Sequence, residues 1–269
     1  DEEGKIVAYE ATLFQNAGAS ADLSPAILER SLFHGTGSYF VPATRITAHS
    51  CRTNLVPFTA FRGFGGPQGM FVIESALARA AEVMGRNPEE LQAINLLTEG
   101  DRFPFGQIAD GCHARRGFQE AAERYDLAGQ RNSVDAFNTA NVRHKRGLGV
   151  MPVCFGISFT NTMMNQAGAL VHIYTDGSVH VATGAVEMGQ GVTAKLRAIA
   201  HHVLECDIER ITIATTSTTT VANTSPTAAS AGADLNGMAV KLACEQLRQR
   251  LDDLRAKLSQ WAAAPRVVA

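Results

Sequence analysis

The stretch Thr59-Ala60-Phe61-Arg62-Gly63-Phe64-Gly65-Gly66-Pro67-Gln68-Gly69-Met70 constrains this chain more than any other. Gly63, Gly65, Gly66 and Gly69 let the backbone turn tightly and approach a ligand where any side chain would clash. Pro67 presets φ for a first helical turn, and Met70, Ile73, Leu77, Ala81 and Met84 follow at spacings of three and four, so the loop ends on a helix N-terminus. Such an end attracts anions. Between the glycines stand one permanently charged guanidinium, Arg62, and two rings, Phe61 and Phe64, a combination suited to a flat, anionic or polar ligand. A charge kept inside a loop of glycine and phenylalanine is costly without a partner, which favours a functional reading of Arg62 over a surface one.

Around this loop the chain reads as mixed helix and strand. Lys5 to Gln15 alternates apolar and polar residues and is read as the second half of a hairpin whose partner strand is missing. Ser24-Pro25 supplies a capping hydroxyl and an early proline for a helix running to about His34, with Ile27, Leu28, Ser31 and Leu32 as its apolar stripe. Arg30 lies off that stripe, so pattern alone makes it a solvated arginine. Arg45 to Asn54 is a strand, Pro67 to Arg86 a helix, and Pro88 opens a further helix ending at Gly100. From Asp101 to Lys145 only Arg115 to Tyr125 looks helical. The boundary between two lobes, 1–125 and 145–269, is therefore placed in a linker at 126–144. Beyond it, Gly147 to Thr160 is an apolar run of strand type, and Ala169 to Thr183 is a hairpin turning at Asp176-Gly177. Gly189-Gln190-Gly191 opens a helix to about Glu205, Ile208 to Ala214 returns as a strand, and Val240, Ala243, Leu247, Leu251, Leu254 and Leu258 mark a last long helix. The class is α+β.

The 269 residues are 45% hydrophobic and 19% charged, with a formal charge of −2 and no block of like charges. Nothing here suggests a nucleic-acid surface, and no apolar run reaches the roughly 18 residues of a membrane span. With no signal peptide at its start, the expectation is a soluble, cytoplasmic protein. Cys51, Cys112, Cys154, Cys206 and Cys244 are scattered, without a Cys-x-x-Cys pair, and read as reduced, mostly buried thiols. His201 and His202 point about 100° apart on a helix and cannot share a metal through one face. A metal in this chain would be held by something other than protein side chains.

The glycine loop, Gly184-Ala185-Val186-Glu187-Met188-Gly189-Gln190-Gly191 and Asn223-Thr224-Ser225-Pro226-Thr227-Ala228-Ala229-Ser230 follow one another in order. Together they resemble the cofactor and substrate loops of the molybdenum hydroxylases, the xanthine dehydrogenase and aldehyde oxidase family. Within it they resemble the molybdenum subunit of the xanthine-type members, of which this chain looks like an internal part. The resemblance implies two mixed α/β lobes with a molybdenum–molybdopterin cofactor between them, the metal being carried by the pterin. It implies that Arg30, in Leu28-Glu29-Arg30-Ser31-Leu32-Phe33-His34, reaches into the active site, an arginine that aldehyde-oxidising members generally lack. Phe64 and Phe159, ordinary core aromatics on pattern, would clamp a planar heterocycle face-on and edge-on. Thr160, which also reads as a plain strand threonine, would help to hold it.

By the same resemblance Arg62, Gly63, Phe64, Gly189, Gln190, Ala228, Ala229 and Ser230 line the cofactor, with Arg62 and Ala229 near the metal but not ligating it. Gln190 would reach the pterin ring or its phosphate from a helix start whose N–H groups point outward; the plain alternative is a simple turn. Ser225 and Pro226 read as structural. Glu187 is not the base: the family's general-base glutamate stands in a Gly-Glu-Pro context, expected beyond Ala269, and another pocket glutamate is expected upstream of Asp1. The implied activity is hydroxylation of a purine, hypoxanthine to xanthine and xanthine to urate, with water as oxygen source. Electrons would pass through 2Fe-2S and FAD groups on partner domains or chains to NAD, in a dimer of the assembled enzyme. An aldehyde or other N-heterocycle hydroxylase, and a pterin-binding piece without turnover, are the alternative readings.

Overall fold

The first strand, β1 (Tyr9–Gly18), pairs in parallel with β2 (Thr44–Arg52), in register from Tyr9 opposite Thr44. Parallel neighbours need a crossover, and α1 (Ser24–Phe33) provides it. This corrects the hairpin reading: the alternation along Lys5 to Gln15 is real, but the partner is β2 of this chain. Ser24 does not cap α1 either. Leu23 occupies the cap position without a side-chain bond, and the Ser24 hydroxyl is buried with no hydrogen-bond partner among the described residues.

The computed structural model describes residues 1–221 and 224–263, and the chain divides into two units, Asp1–Gly156 and Ile157–Ala269. In the first, α2 (Gly66–Met84) lays Met70, Ile73, Leu77 and Ala81 inward, as the three-four spacing predicts. Ile73, Leu77 and Ala81 join Tyr39, Val41, Leu91 and Leu96 in the core. α3 (Pro88–Asn95) starts with a capping box between Asn87 and Glu90, and stops before Leu96 rather than at Gly100. There the chain turns extended to bridge Tyr39, burying Leu96 and Leu97. The Tyr39 hydroxyl donates to Glu74 Oε1 at 2.6 Å, and Gln92 Nε2 donates to Glu74 Oε2 at 2.7 Å. Burial raises the Glu74 carboxyl. Tyr39→Phe removes a bond to a charged acceptor in this buried setting and is expected to cost about 1.5–3 kcal/mol, read by denaturant unfolding.

α4 (Ala114–Arg124) lies where helix is expected, but α5 (Leu127–Ala140) fills most of the stretch read as a linker. Asp126 caps it through Gly129 N, and Arg131 forms an ion pair with Glu89 of α3. That tertiary anchor, absent from the local pattern, ties 126–144 into the first unit. The apolar run 147–160 forms no strand. Its backbone groups bond side chains instead: Gln92 Nε2 donates to Val150 O, Ser38 Oγ donates to Pro152 O, and Gly156 N–H donates to His34 Nε2.

In the second unit β3 (Ala169–Ile173) and β4 (Val179–Thr183) form the expected Asp-Gly hairpin, with Gly177 at φ +80. β4 also pairs in parallel with β5 (Ile211–Ile213), and α6 (Val192–Leu204) is the crossover. α7 (Gly232–Ala263) packs on α6 so closely that Gly237 meets Ile199. Val179, Val181, Leu196, Ala200, Ile211, Val240 and Cys244 form the core. All five cysteines are free, but only Cys244 is buried, which corrects the mostly buried reading. Among the described residues no helix is long and apolar enough to cross a membrane.

Candidate functional site

In the first unit the glycine loop is bolted to α1. Ser31 Oγ donates to Gly65 O at 2.8 Å, with Ile27 O at 3.1 Å. A Cβ at Gly65 or Gly69 would stand under 3.0 Å from the backbone of Ile27 or Ser31, and one at Gly66 would press Phe155. These glycines thus serve close helix packing, where the sequence suggested approach of a ligand. The packing sets Phe64, 3% exposed and at φ +52, opposite α1. It also buries Arg30 to 3% exposure, against the expectation from pattern. The Arg30 guanidinium carbon lies 5.3 Å from the centroid of the Phe155 ring and 6.0 Å from that of Phe64, within cation–π range. Burial lowers the Arg30 pKa, yet a guanidinium remains protonated in proteins. The result is a fixed buried cation flanked by two ring faces.

Arg62 behaves differently. It is exposed beside an exposed Phe61, so water solvates its charge and the argument from burial cost fails for it.

In the second unit, stretches distant in sequence meet. Ser158 N–H donates to Ala229 O at 2.8 Å, and Val186 N–H donates to Thr227 Oγ1 at 3.0 Å. Phe159 is buried, its N–H donating to Asn165 Oδ1 at 2.8 Å and its carbonyl accepting from Asn165 Nδ2 at 2.9 Å. Thr160 is exposed. Ala229 is fully buried at φ +54 and Ser230 is exposed at φ +59, with Ala228 half-buried. Left-handed backbone at non-glycine residues costs of order 1–3 kcal/mol and concentrates at functional sites. Here it falls on the candidates Phe64, Ala229 and Ser230 and on Ser158, and equally on Asp22, Thr59, Asp126 and Glu205 away from them. Asn223 lies outside the described residues. Phe155, His34 and Asn165 are not among the sequence candidates; neither asparagine nor histidine carries a periodic signal, and His34 takes its role from the distant Gly156, Asn165 from the backbone of Phe159 nearby.

Glu187 explains the turn before α6. Its carboxylate accepts from Gly189 N (2.8 Å), Gly191 N (3.0 Å) and Thr193 N (3.0 Å). These bonds, first that from Thr193, pull its pKa down to about 2. It caps the helix, and the N–H groups expected to face a ligand are already taken. Gln190 is engaged too, accepting from Met188 N at 2.6 Å and donating to Val186 O at 2.8 Å. A depressed acid pKa stabilises the fold above the unfolded value and loses that contribution as pH falls through the folded one. Amide exchange at Gly191 and Thr193, taken relative to the intrinsic rate at each pH, is therefore expected to be slow near neutral pH and to lose that protection as pH drops from about 4.5 towards about 2. In Glu187→Ala it should be fast throughout.

Residues 1–96 and 120–268 each match a family described as molybdopterin cofactor-binding domain. The chain belongs to that family. A molybdopterin-binding assignment fits the resemblance carried by the three loops. The xanthine dehydrogenase/oxidase of Gallus gallus is 45% identical over 252 residues, covering 94% of this chain and 19% of that protein. The xanthine dehydrogenase of Emericella nidulans is 44% identical over 256 residues, with 95% and 19% covered. The chain thus spans about a fifth of the length of these relatives. Among solved structures, the aldehyde oxidoreductase of Desulfovibrio desulfuricans superposes with a TM-score of 0.75 at 26% identity, covering 92% of this chain and 27% of that one. Quinoline 2-oxidoreductase of Pseudomonas putida shares the fold, with a TM-score of 0.72 at 22% identity over 93% of this chain and 33% of that one.

The glycine turn before α6 is uncrowded. A Cβ built at Gly189 or Gly191 meets nothing within 4 Å, so one face of the main chain is open although its N–H groups are bonded to Glu187. Asn236 Oδ1, buried at the start of α7 just after Ala228 to Ser230, has no donor among the described residues. Among those residues no group of three or more His, Cys, Asp or Glu is placed to hold a metal ion.

Proposed function

We propose that this chain is part of a molybdenum hydroxylase acting on a purine, with Arg30 as the residue that selects it. The observation that carries this reading is the buried Arg30 guanidinium against Phe64 and Phe155. A buried, positioned cation stabilises negative charge better than a solvated one, and the charge that needs it develops on a purine oxygen as the ring is attacked. The identity to xanthine dehydrogenases across nearly the whole chain supports the same choice.

When bound, the molybdenum–pterin supplies two-electron oxidation with oxygen drawn from water. The chain's own residues bind and orient. Arg30 binds the purine oxygen, Phe64 and Phe159 orient the ring, and the exposed Thr160 hydroxyl donates a hydrogen bond to it. Gly189, Gln190 and Ala228 to Ser230 hold the cofactor, with Gln190 exchanging its present loop bonds for pterin ones. Ala229 leaves room beside the metal, and Arg62 with Gly63 flanks the cofactor from the exposed side of its loop. The general-base glutamate comes from elsewhere in the protein, as do the 2Fe-2S and FAD groups that carry electrons to NAD. We place the assembled enzyme in the cytoplasm as a dimer.

The test is a substrate profile of the complete enzyme with its molybdenum content. Near-stoichiometric metal with kcat/KM for xanthine far above that for simple aldehydes is the expected result. Loaded enzyme that prefers aldehydes overturns the purine assignment.

A further inference from the structure

His34 is a buried titratable group that the proposed chemistry does not use, and its two ring nitrogens have unlike partners. Nε2 accepts the Gly156 N–H at 2.9 Å, while Nδ1 lies 2.9 Å from the Arg30 carbonyl, which can only accept. The proton therefore sits on Nδ1, and the ring is a neutral imidazole donating on one side and accepting on the other. Protonating Nε2 would set two donors against each other and place a second cation beside Arg30. Burial, first, and then the charge of Arg30 lower the His34 pKa accordingly.

Through these bonds the imidazole joins the last turn of α1, which carries Arg30, to the segment that carries Phe155. Its own ring lies 5.0 Å from the Phe155 ring, whose face is in turn 5.3 Å from the Arg30 guanidinium carbon. Arg30, His34 and Phe155 form one packed triangle, and Phe155 is further pressed against Gly66 of the glycine loop.

We propose that His34 is a positioning residue for Arg30. It fixes the helix turn and the Phe155 face against which the guanidinium rests, and so sets where the cation meets the substrate oxygen. This rests on the proposed role of Arg30. A long arginine side chain has many rotamers, and a misplacement of about 1 Å at a charge-stabilising group can cost as much as roughly a hundredfold in rate. Loss of His34 should therefore act on the reaction through Arg30 alone.

The experiment is a double-mutant cycle in the complete molybdenum enzyme with wild type, His34→Ala, Arg30→Met and the double variant. Molybdenum content, kcat and KM for xanthine and for benzaldehyde, and the dissociation constant of urate by spectral titration are measured on each. Expected are unchanged metal, a roughly tenfold or larger fall in kcat/KM for xanthine and weaker urate binding in His34→Ala, and little further loss when Arg30→Met is already present. Equal losses from His34→Ala with and without Arg30 overturn the proposal. If His34→Ala does not fold, His34→Gln enters the same cycle with the same criteria, since its Oε1 can accept from Gly156 N–H while no donor remains at the position of Nδ1 beside Arg30 O. Arg30→Met reducing xanthine and benzaldehyde turnover alike would overturn the purine reading, while the coupling between positions 34 and 30 would still decide the role of His34.

Discussion

In the complete enzyme, Arg30→Met is expected to lower kcat/KM for xanthine by roughly two to three orders of magnitude and to leave simple aldehydes within about threefold. Methionine keeps much of the apolar length that packs between Phe64 and Phe155, so the fold and the cofactor are expected to survive. What it removes is the charge. An aldehyde presents no distant oxygen on which negative charge accumulates, so the cation at position 30 has little to stabilise during its oxidation. A purine does, and on the proposed reading that charge falls to the buried guanidinium held against Phe64 and Phe155. Steady-state kinetics on both substrate classes, normalised to molybdenum content, check the expectation. Equal losses on both would show that Arg30 serves structure and not purine charge.

The largest effect on folding is expected at Gly65. An alanine there must take φ +98, and its Cβ must occupy space under 3.0 Å from the Ile27 carbonyl and from Ser31 Oγ. Neither neighbour can swing away: one is helix backbone and the other is held by its bonds to Gly65 O and Ile27 O. Left-handed strain and overpacking together amount to about 3 kcal/mol or more, a large share of the stability of an ordinary domain. Gly65→Ala is therefore expected to lower the yield of folded protein and its molybdenum content together. Gly189→Ala is the contrast. It carries similar backbone strain at φ +94 but meets no atom within 4 Å, so its cost should be the smaller one of conformation alone. Thermal unfolding of the two variants side by side separates packing from φ. If they lose the same amount, the glycine loop is not bolted to α1 as described.

Read together, these residues show what could be known in advance. The amphipathic spacing of Met70, Ile73, Leu77 and Ala81, the proline at the head of α2, the Asp-Gly hairpin and the glycine turn before α6 are local rules, so the α+β class and most elements follow from short stretches. The three loops likewise point to a molybdopterin-binding family, because they depend on small residues at set spacings. What the local pattern cannot carry is which partner a group finds. β1 alternates as a hairpin strand would, yet pairs in parallel across α1. The run 147–160 is apolar enough for a strand but yields its backbone bonds to Ser38, Gln92 and His34. Within 126–144, Leu127 to Ala140 lack a strong stripe and are helical because Asp126 caps the turn and Arg131 meets Glu89.

The site divides in the same way. The chain's residue types named Arg30, Phe64, Phe159 and Ala229 as candidates through resemblance, while pattern alone left Arg30 in solvent. Only tertiary contact buried Arg30 and left Arg62 exposed, because burial depends on what packs across from a side chain and not on its neighbours in sequence. Glu187, an acid beside a ligand loop, became a helix cap once three amides converged on it. His34 gained its fixed tautomer from Gly156, a residue more than a hundred positions away. Composition and periodicity determined the elements, and the three loops the resemblance to a family; the long-range hydrogen bonds and the packing of α1 against the glycine loop decided which of those residues are buried and which hold the others in place.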